Sequence, residues 1–332
     1  MSSRYEEHDH DSYGRPQRRT RPRTKDRPSY RDATTARVLS IDRGRYTLLV
    51  RDGGAERLVS AMKARQLGRQ GVVIGDNVRA VGDLSGAEGS LARIVEVEDR
   101  RTVLRRSADD DDPVERVLVA NADQLVIVTA LADPPPRPRL IDRCLVAAYD
   151  AGMHALLCLT KSDLASPDEL LTAYRPLGVT AVAISRGGSL DEITRRLQDR
   201  VSVLVGHSGV GKSTLVNALV PDAARITRGV NQVTGRGRHA STSAIALRLS
   251  FGGWIIDTPG IRSFGLAHVE PDRVLASFGD LAAVGSGCPR GCSHTDDEPE
   301  CELDVAVTDG RLDPARVESF RRLLASRERR ED

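Results

Sequence analysis

Gly206-His207-Ser208-Gly209-Val210-Gly211-Lys212-Ser213 satisfies the pattern G-x-x-x-x-G-K-[ST] at every fixed position. An apolar strand-like run, Val201–Val205, leads into it, and Thr214-Leu215-Val216-Asn217-Ala218-Leu219 opens a helix behind it. In that setting the glycines let backbone N–H groups curl around phosphates, and the helix N-terminus adds a favourable field for an anion. Gly206 through Thr214 are therefore the expected phosphate cradle. Lys212 is expected to reach the β and γ phosphates, and Ser213 to offer its hydroxyl to magnesium. The loop predicts nucleotide binding and leaves the base open.

The base is addressed by Thr160-Lys161-Ser162-Asp163, which follows the apolar run Ala155–Leu159. It has the form [NT]-K-x-D of guanine-specific sites. A carboxylate at Asp163 can accept from guanine N1–H and the 2-amino group together, whereas adenine would leave it partly buried and unpaired. The stem of Lys161 can cover the base face. Alone, the tetrapeptide also suits an ordinary surface loop; a phosphate loop in the same domain favours base contact. Ser185, closing Ala183-Ile184-Ser185, is placed to bring a backbone N–H to guanine O6.

Asp257-Thr258-Pro259-Gly260 ends the run Trp254–Asp257 and matches D-x-x-G. In that motif the carboxylate holds magnesium through water and the glycine N–H senses the γ-phosphate. Between loop and D-x-x-G lies Gly235-Arg236-Gly237-Arg238-His239-Ala240-Ser241-Thr242, where the hydroxyl of Thr242 or Ser241 can complete the magnesium shell. Ile261 stands where many GTP hydrolases place a water-orienting glutamine, so slow unaided turnover is expected. His239 is a candidate to position the water instead, the bland alternative being an exposed loop histidine.

The chain has 332 residues, with Lys plus Arg 49 against Asp plus Glu 47. That length supports two or three domains, and the balance of charge by itself implies no partner. No apolar stretch approaches the roughly 18 residues a membrane span needs, and the polar N-terminus lacks an apolar secretory core, so a cytoplasmic protein without membrane contact is expected. Aromatic residues, at 3%, are too few for a base-stacking platform. Cys144 and Cys158 sit alone in apolar runs. Cys288, Cys292 and Cys301 gather around His294, three thiolates and an imidazole, which suits a closed structural zinc site better than a disulfide framework.

Residues 1–35, rich in Arg, Asp, Ser and Pro, read as a disordered basic tail. Over 36–101, five short β-like runs separated by glycine turns (Arg37–Ile41, Tyr46–Arg51, Glu56–Val59, Asn77–Val81 and Leu91–Glu98) suggest an OB-fold β-barrel. The stretch 102–113, with the acidic run Asp109 to Asp112, reads as a linker. From 114 to 269 apolar runs alternate with helical segments, the mark of an α/β domain with a parallel sheet. Its runs are Leu125–Ala130, Ala155–Thr160, Ala181–Ser185, Val201–Val205, Ala244–Leu249 and Trp254–Asp257. Pro134-Pro135-Pro136-Arg137-Pro138 reads as a stiff connector. Residues 270–332 hold the Cys/His cluster and a helix with Asp313 at the N-cap and Pro314 at its first position.

The base motif precedes the phosphate loop, the reverse of the usual order, which amounts to a circular permutation of the nucleotide domain. With the preceding barrel, the Gly-x-Gly-x-His segment and the Cys/His cluster, the chain resembles the ribosome small-subunit-dependent GTPase A family (RsgA, also YjeQ) over residues 36–325. The resemblance implies an OB-fold, a circularly permuted P-loop α/β GTPase domain and a C-terminal, mostly helical zinc-binding domain. It further implies slow hydrolysis of GTP to GDP and phosphate, stimulated by the 30S subunit, late in maturation of that subunit. The expected partners are the 30S subunit, its 16S rRNA, GTP and GDP, and the chain is expected to be a monomer. Two departures stand out. Ala240-Ser241-Thr242 replace three threonines, and against the family's Cys-x4-Cys-x-His-x5-Cys this chain has three residues in the first gap and six in the last. Two other classes stay open: a P-loop kinase of a small molecule, and a nucleotide-gated RNA-binding module with negligible turnover.

Overall fold

The computed structural model describes residues 30–68, 71–107, 115–221, 244–258, 266 and 269–328. Most of the N-terminal tail, the acidic run Asp109 to Asp112, and the segment from 222 to 243 lie outside them.

The barrel follows from alternation. Strands β1 (Thr34–Asp42), β2 (Arg45–Asp52), β3 (Ala55–Lys63), β4 (Asn77–Gly82) and β5 (Ala92–Val97) turn Ala36, Val38, Leu48, Val50, Val59, Val78 and Ile94 into one core. The β2–β3 hairpin turns on Gly53 and Gly54, both at positive φ (55° and 86°), as a two-residue turn matched to strand twist requires. The strand order is β1-β2-β3-β5-β4, with β4 pairing back to β1 (Ala36↔Val78) and β3 parallel to β5, which closes a five-stranded barrel of OB type.

The segment read as a linker carries strand β6 (Val103–Ser107), paired with β7 (Glu115–Ala120), a strand the sequence reading missed. Leu104 and Val119 enter the core, and that apolar burial outweighs the polar look of their neighbours.

The nucleotide sheet contains β8 (Gln124–Ala130), β9 (His154–Thr160), β10 (Thr180–Ile184), β11 (Val201–Val205), β12 (Ile245–Arg248) and β13 (Trp254–Asp257), in the order β10-β9-β8-β11-β13-β12. Every residue of β8 and β11 is buried, which is why both read as continuous apolar runs. Ser185 lies just beyond β10. All pairings are parallel except β12–β13, because only residues 249–253 separate these strands and a parallel crossover needs a dozen or more. Strand β12 also pairs antiparallel with β1 at Ser40↔Ile245, so barrel and nucleotide domain share one eleven-stranded sheet.

Helices α1 (Pro138–Asp150), α2 (Asp168–Tyr174), α3 (Asp191–Leu197) and α4 (Lys212–Leu219) cover this sheet. The last residue of the proline-rich connector, Pro138, starts α1. The C-terminal part is helical: α5 (Pro271–Leu275), α6 (Gly279–Gly285), α7 (Glu302–Thr308) and α8 (Pro314–Glu328). Asp313 Oδ1 accepts from the Ala315 N–H at 2.9 Å, as expected of a cap. Helix α8 buries Val317, Phe320, Leu323 and Leu324. Phe278 wedges edge-on between Tyr149 (4.9 Å) and Phe320 (5.7 Å). Arginines tie these helices to the nucleotide domain. Arg143 Nη1 donates to the Ser326 carbonyl at 2.9 Å, Arg316 Nη1 to the Pro176 carbonyl at 2.6 Å, and Arg322 Nε lies 3.3 Å from buried Asp142.

Candidate functional site

The phosphate loop is a tight backbone curl between β11 and α4. Gly206 has φ 145°, and a Cβ there would sit 2.2 Å from the Val128 carbonyl oxygen, so no side chain fits. Gly209 and Gly211 take φ 85° and 95°. The Lys212 ammonium donates to the Gly206 carbonyl and, at 2.9 Å, to the His207 carbonyl, holding its charge over the loop. Burial lowers the Lys212 pKa and Asp257 opposes that shift; burial likewise raises the Asp257 carboxyl, with Lys212 opposing. The two charges act on one another, and the β11–β13 register sets Asp257 beside Leu204, two residues before the loop begins. Thr258 Oγ1 donates to the Leu204 carbonyl at 2.8 Å and fixes the start of D-x-x-G. Burial pulls His207 below its ordinary pKa, while its Nδ1 lies 2.8 Å from the Ser208 carbonyl.

The guanine-type motif comes from the neighbouring strand end. Thr160 Oγ1 donates to the Val210 carbonyl at 2.6 Å, so the first residue of that motif braces the phosphate loop. Spacing alone gave no hint of this contact, which joins residues 50 apart. Lys161 adopts φ 59° and donates to the Asp133 carbonyl. The Ser162 N–H meets the Ile184 carbonyl at 3.2 Å, and Asp163 Oδ1 accepts the Arg186 N–H at 3.1 Å. A largely apolar pocket of 470 Å³ opens here, bounded by Thr160, Lys161, Ser185, Gly211, Thr214 and Leu215. Thr160, Lys161, Ser185, Gly211 and Thr214 were expected from the sequence. The walls supplied by Ile184, Gly187, Gly188 and Leu190 were not, although the Gly187-Gly188 pair after a strand marks a turn that could have pointed to them. Gly260, His239, Thr242, Ser241 and Ile261 lie outside the described residues.

A second constellation lies in the C-terminal helices. Cys288 and Cys292 belong to the loop after α6, Cys301 precedes α7, and His294 is buried at φ 58°. The four ligand atoms lie within 4.8 Å of one another. His294 Nδ1 is 3.6, 3.4 and 3.8 Å from the sulfurs of Cys288, Cys292 and Cys301. Cys288 and Cys301 sulfurs are 4.0 Å apart. Metal–sulfur bonds of about 2.3 Å put tetrahedral sulfurs roughly 3.8 Å apart, so these residues fit one four-coordinate ion. His294 Nε2 points the other way, 3.4 Å from Asp272 Oδ1, an arrangement that orients a ligating imidazole. Burial pushes the Cys288 and Cys292 thiols up, so a cation is needed to hold them as thiolates.

The strand order and the two loops define a circularly permuted P-loop nucleotide domain. The family model for the RsgA GTPase matches residues 97–267. The small ribosomal subunit biogenesis GTPase RsgA of Chlorobaculum parvum is 37% identical over 280 residues, 81% of this chain and 90% of that protein. The protein of the same name from Pseudomonas aeruginosa is 44% identical over 218 residues, and this chain spans 64% of its length. Among solved structures, YjeQ from Thermotoga maritima aligns with TM-score 0.65 at 25% identity, over 90% of this chain and 100% of that one. The circularly permuted GTPase YloQ aligns with TM-score 0.64 at 22% identity over 91% of this chain and 98% of its own. The chain belongs to the RsgA GTPase family.

Proposed function

We propose that this protein hydrolyses GTP to GDP and phosphate, slowly alone and faster on the 30S ribosomal subunit, and acts late in maturation of that subunit. The observation that carries the nucleotide reading is the Thr160–Val210 hydrogen bond, which ties the first residue of the guanine-type motif to the phosphate loop, beside a pocket lined by Thr160, Lys161 and Gly211. The relatives named above as small ribosomal subunit biogenesis GTPases support the partner.

In this reading Asp163 pairs with guanine N1–H and the 2-amino group, Lys161 covers the base, and the Ser185 N–H meets O6. Gly206, His207, Ser208, Gly209, Val210 and Gly211 wrap the phosphates with backbone N–H groups, joined by Ser213 and Thr214 at the start of α4. Lys212 stabilises charge developing on the transferred phosphoryl oxygens. The Gly260 N–H senses the γ-phosphate, and His239 orients the attacking water that Ile261 cannot. Ser213, Asp257 and Thr242 are the residues that would hold a magnesium ion, which would supply positive charge to the phosphates when bound. Cys288, Cys292, His294 and Cys301 hold one structural zinc ion that folds the C-terminal loops.

The barrel and basic tail supply contacts to 16S rRNA, and the protein works as a monomer in the cytoplasm. No described helix is long and apolar enough to cross a membrane.

Titration with GTP and ATP tests the base assignment. Wild type should bind GTP selectively, and Asp163→Asn should lose about 10- to 100-fold in GTP affinity, the worth of a charged hydrogen-bond pair. Equal affinity for ATP and GTP in wild type would remove the guanine reading. His239→Ala should slow turnover at unchanged GTP affinity; unchanged turnover would discard His239 as the water-orienting group.

A further inference from the structure

The nucleotide loops occupy the ends where β8, β9 and β11 finish. A separate cleft of 640 Å³ opens at the opposite edge, where β8, β9 and β10 begin. Arg195 and Arg196 on α3, Arg200 in the turn into β11, His154 at the start of β9 and Arg316 on α8 line it. Among the described residues no Asp or Glu does.

The arginines are not equally committed. Arg316 is held by Asp280 and the Pro176 carbonyl, and builds the wall between nucleotide domain and C-terminal helices. Among the described residues Arg196 has only an exposed contact to Glu192 at 3.8 Å, a pairing that water largely screens. The Arg195 side chain donates, among the described residues, only to the carbonyl of Asp191, one turn back, at 3.4 Å. The Arg200 side chain has no hydrogen bond or ion pair among the described residues. Two guanidinium groups, Arg195 and Arg200, thus line an acid-free cleft with no carboxylate partner among the described residues.

The shape narrows the ligand. Several cations spread along a cleft of this volume suit a chain of charges better than one small anion. The aromatic rings at its floor, Tyr149 and Phe278, are locked edge-on against each other at 4.9 Å, so no free ring is offered for stacking a base. A ligand here is read through its phosphates, which position a strand without reading its sequence.

We propose that this cleft grips the phosphodiester backbone of RNA, a second anion site at the edge of the sheet opposite the nucleotide. The proposal rests on the preceding reading only in taking RNA as a partner. Because Arg316 and Phe278 belong to the C-terminal helices, a bound strand touches both of the parts that the cleft separates.

The test measures binding of a short fluorescein-labelled single-stranded RNA of mixed sequence to the full chain across a salt series. Arg195→Ala/Arg200→Ala should bind about tenfold more weakly, and its log affinity should fall less steeply with log salt, by about 1.4 in slope, as two lost phosphate contacts require. Arg195→Lys/Arg200→Lys should restore the slope, since a phosphate needs a charge and not a fork. Wild-type affinity and slope in the alanine variant would overturn the proposal. Displacement of RNA from wild type by poly-glutamate as readily as by unlabelled RNA would overturn it in favour of an acidic protein. GTP affinity of the alanine variant, expected to match wild type, separates the two readings: failure of the cleft leaves GTP binding intact, and failure of GTP selectivity leaves the RNA slopes untouched.

Discussion

The nucleotide cradle and the Cys/His cluster are built on opposite plans. The cradle draws on strand ends from β9, β11 and β13, whose residues run from Thr160 to Asp257, and no segment of it is complete without the sheet that sets their register. The cluster gathers four groups of metal-ligating type between Cys288 and Cys301, close enough together to hold one ion. The first site is a consequence of the fold; on the zinc reading proposed above, the second is one of its causes. Damage to the two should therefore be felt differently, in chemistry at the cradle and in folding at the cluster.

The largest stability effect is expected at the cluster. Structural zinc contributes an apparent 10–16 kcal/mol or so to binding in small zinc-finger peptides. Cys292→Ser should lose the zinc found by elemental analysis and lower Tm more than any change at the cradle. Retention of one zinc per chain would break the contrast. At the cradle, Lys212→Ala should cut turnover by about 100-fold, or roughly 2.7 kcal/mol of transition-state stabilisation. Its Tm should not fall, because burial already disfavours the Lys212 charge in the free protein. A large drop in Tm for this variant would mean that the cradle, too, is structural.

Thr160→Val sits between these cases. It leaves the buried Val210 carbonyl without the hydroxyl donor, which should cost about 1–2 kcal/mol in urea unfolding and also weaken GTP binding, since the brace joins both motifs. An effect on stability with none on GTP would separate the brace from the site.

The smallest effect concerns Asp142, whose carboxyl is pushed up by burial against the pull of Arg322. The folded state then holds that proton more tightly than the unfolded chain. Its contribution to stability is present below the ordinary carboxylate value of about 3.9 and declines as pH rises through the raised folded value. Asp142→Asn should flatten that decline in urea midpoints measured from acid toward neutral pH; an unchanged slope would assign it to other groups.

What could be read from the sequence tracks the reach of the interactions. Val201–Val205 was legible because burial along the whole strand writes itself as a nearly unbroken apolar run, and Trp254–Asp257 because its two buried isoleucines lead into the D-x-x-G pattern. The barrel strands showed through glycine turns and alternation. Pairing between strands far apart in the chain leaves no such mark. Strand β1 meets β12 across some two hundred residues, and the direction of β12 follows from the shortness of its turn. The same holds in the candidate site. The fixed positions of the phosphate loop carry their own pattern, whereas the Thr160 brace is a contact between two motifs and belongs to neither. The arginine clamps from α1 and α8 look like ordinary surface charges until the helices dock.

The most direct test is phosphate release from GTP by the full chain, with and without purified 30S subunits, with ATP as the control. Slow release alone, strong stimulation by 30S and none with ATP is the expected result, and it would locate the help missing at Ile261 on the ribosome. Equal rates with and without 30S would contradict the ribosomal role, and hydrolysis of ATP at the same rate as GTP would contradict the guanine site itself.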